Sequence, residues 1–235
     1  MNGHFAKLEL SKLRLNNNYT NAYWKFDEGS GSIAYDSSGH DYDGTIYGAT
    51  WVTGNSGYAL DFDGVDDLVD LDDYSEGLGV NKTDDLIYSF WFKSNEGGII
   101  YCISTNWGYN PEHRIELLAN GSLFFRMLTN NVCEIKLYSN GAYNDGNWHN
   151  VIYYYNGITA QPTIELYVDD EFDNNVTSWA CSIYSSEFGK AKIGKHSHYL
   201  SDYFDGVIDD FKIIKYPGGN EQNPPTISGP TSGAP

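Results

Sequence analysis

Basic residues are scarce in this chain. Against 32 Asp and Glu it sets only 14 Lys and Arg, for a formal net charge of −18 over 235 residues. Such a balance excludes attraction to nucleic acid or to an anionic membrane surface as the basis of function. No run of 18 apolar residues occurs, so no segment reads as a membrane-spanning helix. Lys7, Lys12 and Arg14 are not followed by a continuous apolar core. No signal peptide is therefore legible, and Met1 reads as the start of a piece cut from a longer protein. Three cysteines, Cys102, Cys133 and Cys181, leave at least one unpaired, and their spacing fits no zinc pattern. Buried free thiols are the preferred reading, with a single disulfide as the alternative. A nucleophile elbow, an HExxH helix and a Gly-rich phosphate loop are all missing. So is any apolar stripe of period 3.6 and helical length.

What the chain does have is aromatic: 20 Tyr, 11 Phe and 6 Trp. These residues suit pleated, half-buried strands. Short runs such as RIELLAN, SLFFRML, NVIYYYN and TIELYVD are separated by Gly, Asn, Asp and Ser clusters, which is turn chemistry. Asn120-Gly121 reads as a hairpin turn between two of them. Each strand has one apolar face to hide, which predicts an all-β fold of two stacked antiparallel sheets. The length fits one large domain over residues 20–216. Residues 1–19, where Leu8 alternates with Leu10 and Leu13 with Leu15, belong either to this sandwich or to the end of a preceding module. Residues 217–235, PGGNEQNPPTISGPTSGAP, read as a Pro/Gly/Ser linker running into the truncated start of an immunoglobulin-like module. The parent is then a multidomain surface or secreted protein. Asn-x-Ser/Thr sequons begin at Asn18, Asn81, Asn120 and Asn175.

One order of motifs carries more information than composition. Residues 24–71 place an aromatic strand ending in Asp27-Glu28-Gly29 before an Asp-Ser-Ser-Gly turn at 36–39. An Asp-Gly-Thr strand start at 43–45 and Phe-Asp-Gly-Val-Asp-Asp at 62–67 follow. Later come DGNWHNVIYYYNG at 145–157, IELYVDDEF at 164–172, and YFDGVIDDFKIIK at 203–215 as a closing strand. This series resembles the laminin-G-like jelly-roll domains of the concanavalin A-like lectin/glucanase superfamily over residues 20–216. The resemblance implies a jelly-roll β-sandwich that works outside the cell, gripping sugars or proteins, often with calcium. It also implies that the strand at Trp24 lies beside the strand at Phe211.

Because some relatives of such folds are glycosidases, the acids deserve a catalytic test. A retaining enzyme needs two carboxyl groups about 5–5.5 Å apart, one with a raised pKa. The Glu-x-Asp-x-Glu strand of the glucanase branch does not occur in the sequence. Glu165 and Asp169 share a strand face but lie about 13 Å apart at strand rise. In LDFDG and LVDLD, a tight turn near Asp66-Asp67 predicts Asp63 opposite Asp70 and Asp61 opposite Asp72. Facing like charges cost about 0.2–1 kcal/mol per pair. Solvation is the preferred relief, then a cation. The chain is read as non-catalytic.

Binding is read in the loops. Sugars stack their CH faces on flat rings while polar groups fix their hydroxyls. Residues 104–114 place Trp107 and Tyr109 in a polar loop. Residues 195–203 supply His196, His198, Tyr199 and Tyr203, and NNVTSWACS adds Trp179. Trp107, Tyr109, Trp179, His198 and Tyr199 are the ligand-site candidates, although loop aromatics also cap sandwich cores. Trp24, Trp51, Trp91 and Trp148 are read as core. For metal, the resemblance implies a calcium ion between the first and last strands. Asp27, Asp36, Asp43 and Asp209 are the expected ligands. Asp209 is preferred to Asp210 because it follows an apolar Ile208 and should face away from the core. The alternative is that Asp27 and Asp36 only cap turns. The resulting expectation is a non-catalytic, extracellular or cell-surface carbohydrate-binding or adhesion module. Its partner is a glycan or a cell-surface protein, not nucleic acid or a bilayer interior. A protein-only adhesion module and an unrecognised glycosidase are the alternatives.

Overall fold

Alternation along the strands decides which side chains meet. In β9 (Glu112–Leu117) the apolar side is His113, Ile115 and Leu117, all buried, while Arg114 and Glu116 lie on the other side and are only half-buried. Strands of this kind build two antiparallel eight-stranded sheets in a computed structural model that describes residues 19–78, 85–104, 112–129, 133–156, 163–177, 189–198 and 202–216. The first sheet runs β14 (Glu171–Thr177), β13 (Thr163–Val168), β12 (His149–Asn156), β7 (Asp85–Lys93), β16 (Asp205–Tyr216), β5 (Tyr58–Asp63) and β4 (Thr50–Thr53). Within it β1 (Thr20–Trp24) also pairs with β16. The second runs β11 (Cys133–Tyr138), β10 (Leu123–Thr129), β9, β8 (Gly98–Ser104), β15 (Lys190–Ile193), β6 (Leu68–Asp70), β3 (Gly44–Tyr47) and β2 (Ile33–Ala34). Apart from Tyr19, a 3-10 residue just before β1, helical structure among the described residues is confined to a 3-10 turn, Asp72–Tyr74, and the single turn α1, Ser75–Leu78.

The expected neighbours are neighbours: Trp24 lies opposite Phe211 in the β1–β16 register. Phe211 joins three elements. Its ring stacks on Phe90 of β7 at 5.4 Å, meets Tyr101 of the second sheet at 5.3 Å and Trp24 at 6.1 Å. Each such pair adds about 0.5–1.5 kcal/mol beyond area burial. A β-bulge makes this possible. Register slips between Asp209 and Lys212, and Asp210 takes φ +53°, so Ile208 and Phe211 both reach the core although they are an odd three positions apart.

The core also holds polar groups. The Tyr88 hydroxyl lies 2.8 Å from Nδ1 of His113, and burial drives the His113 pKa down to about 3, so the ring is neutral inside the sandwich. Tyr88→Phe removes that bond and should cost about 1–2 kcal/mol in urea unfolding. A cost near zero would show that the imidazole finds another partner.

Two expectations need correction here. Of the four tryptophans expected in core strands only Trp24 is fully buried, with its indole donating to the Tyr42 carbonyl at 2.8 Å, and Trp148 stands just before β12. Trp51 is half-buried and packs against the core, as expected; Trp91 and Trp148 are half-buried, and Trp91 alternates with core-facing Phe90 and Phe92 and so takes the outer face. The acidic hairpin is not a hairpin. β5 and β6 belong to different sheets, so Asp63 faces Asp205 of β16, while Asp70 faces Thr45 of β3 and Lys192 of β15. The anticipated repulsion between Asp70 and Asp63 does not arise. Instead the Lys192 ammonium lies 2.6 Å from Asp70 and 2.9 Å from Asp72.

Candidate functional site

Three chain segments that carried ligand candidates start or end beside one residue, Ser104, the last of β8. Its Oγ lies 2.6 Å from Oγ of Ser197 in the β15–β16 connection, and its carbonyl accepts the Gly189 N–H at 2.8 Å. It also stands opposite Glu112, the first residue of β9. Around it Cys102, Glu112, His196 and Ser197 are all buried. The sulfur, carboxylate and imidazole of Cys102, Glu112 and His196 lie within 4.8 Å of one another. Chemistry favours a hydrogen-bonded group over a metal centre. Nδ1 of His196 accepts the His198 N–H at 3.1 Å, so Nε2 carries the proton and turns it toward Glu112, 3.7 Å away. Burial lifts the Cys102 thiol to about 12 and keeps it protonated. Cys102 is a free, buried cysteine.

From Glu112 a lattice of charge spreads over the outer face of the second sheet. Cross-strand register sets Arg114, Arg126 and Lys136 in one row, with Cys102 and then Lys192 continuing it. A row of like charges is unfavourable alone, and carboxylates diagonal to it provide the compensation. Arg126 donates to Glu134 at 2.7 Å and to Glu112 at 3.2 Å. Arg114 lies 3.4 Å from Glu116, and Lys136 lies 2.9 Å from Glu134. For Glu112, burial pulls the pKa up, but His196, Arg114 and Arg126 together outweigh it and hold the carboxyl below its ordinary value. Beside these rows Phe124 packs on Tyr138 with ring centroids 4.8 Å apart, and the Arg114 guanidinium sits 5.3 Å above the Phe124 ring. Phe124 is 4% exposed and Tyr138 48%, so one ring backs the other and Tyr138 faces solvent.

The expected metal residues fall into two groups. Asp36 accepts four hydrogen bonds: from the Tyr23, Ser38 and Tyr42 N–H groups and from the Ser38 hydroxyl. That fills the acceptor sites of a carboxylate. Asp43 in turn accepts the Asp36 N–H at 2.8 Å. These two acids order a turn. Asp27 and Asp209 both face the β4–β5 turn. Asp27 accepts the Tyr58 N–H at 3.2 Å, and Asp209 accepts those of Asn55 and Ser56 at 2.9 and 3.3 Å. Glycines make this approach possible: a Cβ at Gly54 would sit 2.6 Å from Oδ2 of Asp209, and Gly57 at φ +68° lies against Asp27. Asp209 does not face away from the core region to water, as its place after Ile208 suggested. It is wholly buried, and its second oxygen, Oδ1, has no hydrogen-bond partner. Burial, with a smaller contribution from Asp210, pushes its pKa up to about 6.

His198 stands in the β15–β16 connection, half-buried, with its N–H on His196. Trp107, Tyr109, Trp179 and Tyr199 lie outside the described residues, as do residues 1–18 and 217–235. Reading the loops missed Tyr138, Phe124 and the paired Arg114 and Arg126. Alternating charge in EHRIE and EIK was the available signal, but strand register is needed to align the rows.

A sequence profile of the Concanavalin A-like lectin/glucanases superfamily matches residues 62–221, more than half of the chain. No curated protein matches the sequence. Among solved structures, domain 4 of AbnA, a GH43 extracellular arabinanase from Geobacillus stearothermophilus, in complex with arabinotriose, is similar at 16% identity and TM-score 0.63, over 85% of this chain and 94% of that one. The binding domain of botulinum neurotoxin DC in complex with rat synaptotagmin II matches at 16% identity and TM-score 0.57, over 84% of this chain and 48% of that one. A botulinum neurotoxin type C structure, from work on its interaction with two ganglioside molecules, matches at 16% identity and TM-score 0.59, over 86% and 49%. At these identities the likeness is one of fold.

Proposed function

The chain belongs to the concanavalin A-like lectin/glucanase superfamily, and from that premise we propose that it is a non-catalytic carbohydrate-binding domain of a secreted or cell-surface protein. The observation that carries this reading is the outer face of the second sheet. It sets an exposed ring, Tyr138, beside rows of charged groups, and the ends of three polar loops lie at the other end of the same strands, where Ser104, Glu112, Leu128 and Glu134 are in register. Stacking surface beside fixed donors and acceptors is what sugar recognition requires. The arabinotriose complex of a similarly folded arabinanase domain supports the ligand class, and that enzyme's extracellular setting supports the location. Against catalysis on this face stands what separates its acids. Glu112 and Glu134 have lowered pKa values and Glu116, mainly through burial, a raised one. The Arg114 guanidinium lies between Glu112 and Glu116, 3.7 and 3.4 Å from their carboxylates, where a sugar or an attacking water would have to stand.

The proposal includes a calcium ion, now held by Asp27 and Asp209, with Asp36 and Asp43 left to their turn. The fit is chemical: a fully buried carboxylate with an unpartnered oxygen sits beside a second acid and a glycine turn. A hard divalent cation bound there supplies the positive charge that lets Asp209 ionise and ties the last strand to the β4–β5 turn.

Tyr138→Ala should weaken glycan binding about 2–10-fold while the melting temperature stays within about 1 °C. A glycan array with and without calcium, followed by calorimetry on the best ligand, tests this. Absence of binding to every glycan, with calcium present, would overturn the reading.

A further inference from the structure

Counting charges on the proposed face narrows the ligand. Every basic side chain on its strands is already matched. Arg126 holds Glu112 and Glu134, Arg114 lies against Glu116, and Lys136 against Glu134. On β15, Lys192 holds Asp70 and Asp72, with Lys190 at 4.0 Å from Asp72. Lys195, in the connection beyond, lies 4.8 Å over the Tyr203 ring. We infer that this face selects neutral, hydroxyl-rich glycans and discriminates against sialylated or uronic ones. The inference rests on reading the face as the glycan site.

An anionic sugar recognised here would have to displace a carboxylate from its guanidinium. Glu112 is 1% exposed and cannot swing away to make room. The protein as a whole, at −18, repels the same ligand at longer range. A sugar hydroxyl faces no such competition. It donates and accepts at once. A paired carboxylate keeps acceptor sites and a paired guanidinium keeps N–H donors, so an intact ion pair still offers both to vicinal hydroxyls. Arg114, Arg126 and Glu134 present such pairs part-exposed, beside the Tyr138 ring. The pairing that relieves repulsion within the row thus becomes a filter on charge.

The test uses the full chain with saturating calcium. Neutral trisaccharides (arabinotriose, xylotriose, cellotriose) are compared with acidic ones (trigalacturonic acid and 3′-sialyllactose) by calorimetry at low and high salt. The expected result is binding of at least one neutral probe, with affinity changing less than about twofold between about 50 and 500 mM NaCl, because no net charge is neutralised. Acidic probes should bind at least about tenfold more weakly at low salt, where repulsion is least screened. Tighter binding of an acidic probe, weakened by salt, would overturn the charge filter and leave carbohydrate binding standing. Failure of both classes would overturn the glycan-site reading itself. Glu134→Gln, an exposed change that releases one side of Arg126 and Lys136, should raise affinity for trigalacturonate several-fold; no rise would count against the filter.

Discussion

Chelation with EDTA should lower the melting temperature by several degrees at about pH 7 and by little at about pH 5. An ion present at a hundredfold above its dissociation constant stabilises the folded form by about 2.7 kcal/mol, or some 5–10 °C for a domain of this size. The pH dependence follows from Asp209, whose folded pKa stands at about 6 against an ordinary 3.8. A carboxyl with a raised folded pKa binds more protons in the native state than in the unfolded one. Its favourable contribution is complete below the unfolded value and is lost as pH rises through about 6. Without metal the protein should therefore lose up to about 3 kcal/mol across that window. Calcium should cancel the loss at neutral pH and have little to grip at acid pH. Asp209→Asn keeps an acceptor for the Asn55 and Ser56 N–H groups but cannot ionise. It should melt identically with and without chelator, and above the metal-free parent at about pH 7. Superimposable melting curves of the parent with and without EDTA at that pH would dispose of the ion.

Arg126→Ala should cost about 1.5–3 kcal/mol, whereas Lys136→Ala, directly opposite it on the neighbouring strand, should cost under about 0.5 kcal/mol. The difference is burial. Arg126 answers Glu112, whose side chain is 2% exposed, while Lys136 answers a Glu134 that is 34% exposed. Removing Arg126 takes one of three partners from a buried carboxylate, leaving His196 and Arg114 to hold it; removing an exposed partner leaves water to replace it. Glu112 has its folded pKa lowered, so the stability this pair provides is present above the ordinary carboxylate value and lost as pH falls through the folded one. The gap between parent and Arg126→Ala should accordingly close in acid. Adding Glu112→Gln to Arg126→Ala should recover part of the loss. Equal urea midpoints for the two single variants would contradict the assignment of Glu112 as a buried, partnered anion.

Much of the architecture was legible because it is written locally. Glycine and aspartate at 27–31, 36–44 and 63–67 mark turns, and period-2 runs between them mark strands. Partner choice is not local. The alternation of LDFDG and LVDLD looks the same whether the two strands pair with each other or part between sheets, and here β5 pairs with β16. The four acids expected to bind calcium divided for a related reason. Asp27 and Asp209 followed from the adjacency of the first and last strands, but nothing in the sequence announces that four donors already surround Asp36. Tyr138 was overlooked because its significance comes from Phe124 behind it and Lys136 two residues before it, a relation that exists only once β10 and β11 are in register.

The pairing of β1 with β16 also fixes how the domain carries load. Thr20 lies opposite Ile214 and Trp24 opposite Phe211, so the chain enters and leaves the sandwich at the same end. Tension applied through Thr20 and Tyr216 meets the two strands as a zipper, opening backbone hydrogen bonds one after another, and does not load them together in shear. The resistance lies at the far end of that zipper, where Trp24 is locked on Phe211 and the bulged Asp209 grips the β4–β5 turn. Under pull, β1 should peel easily as far as Trp24 and then hold. The outer face of the second sheet, proposed as the glycan site, would stay folded while β1, in the first sheet, pays out as slack.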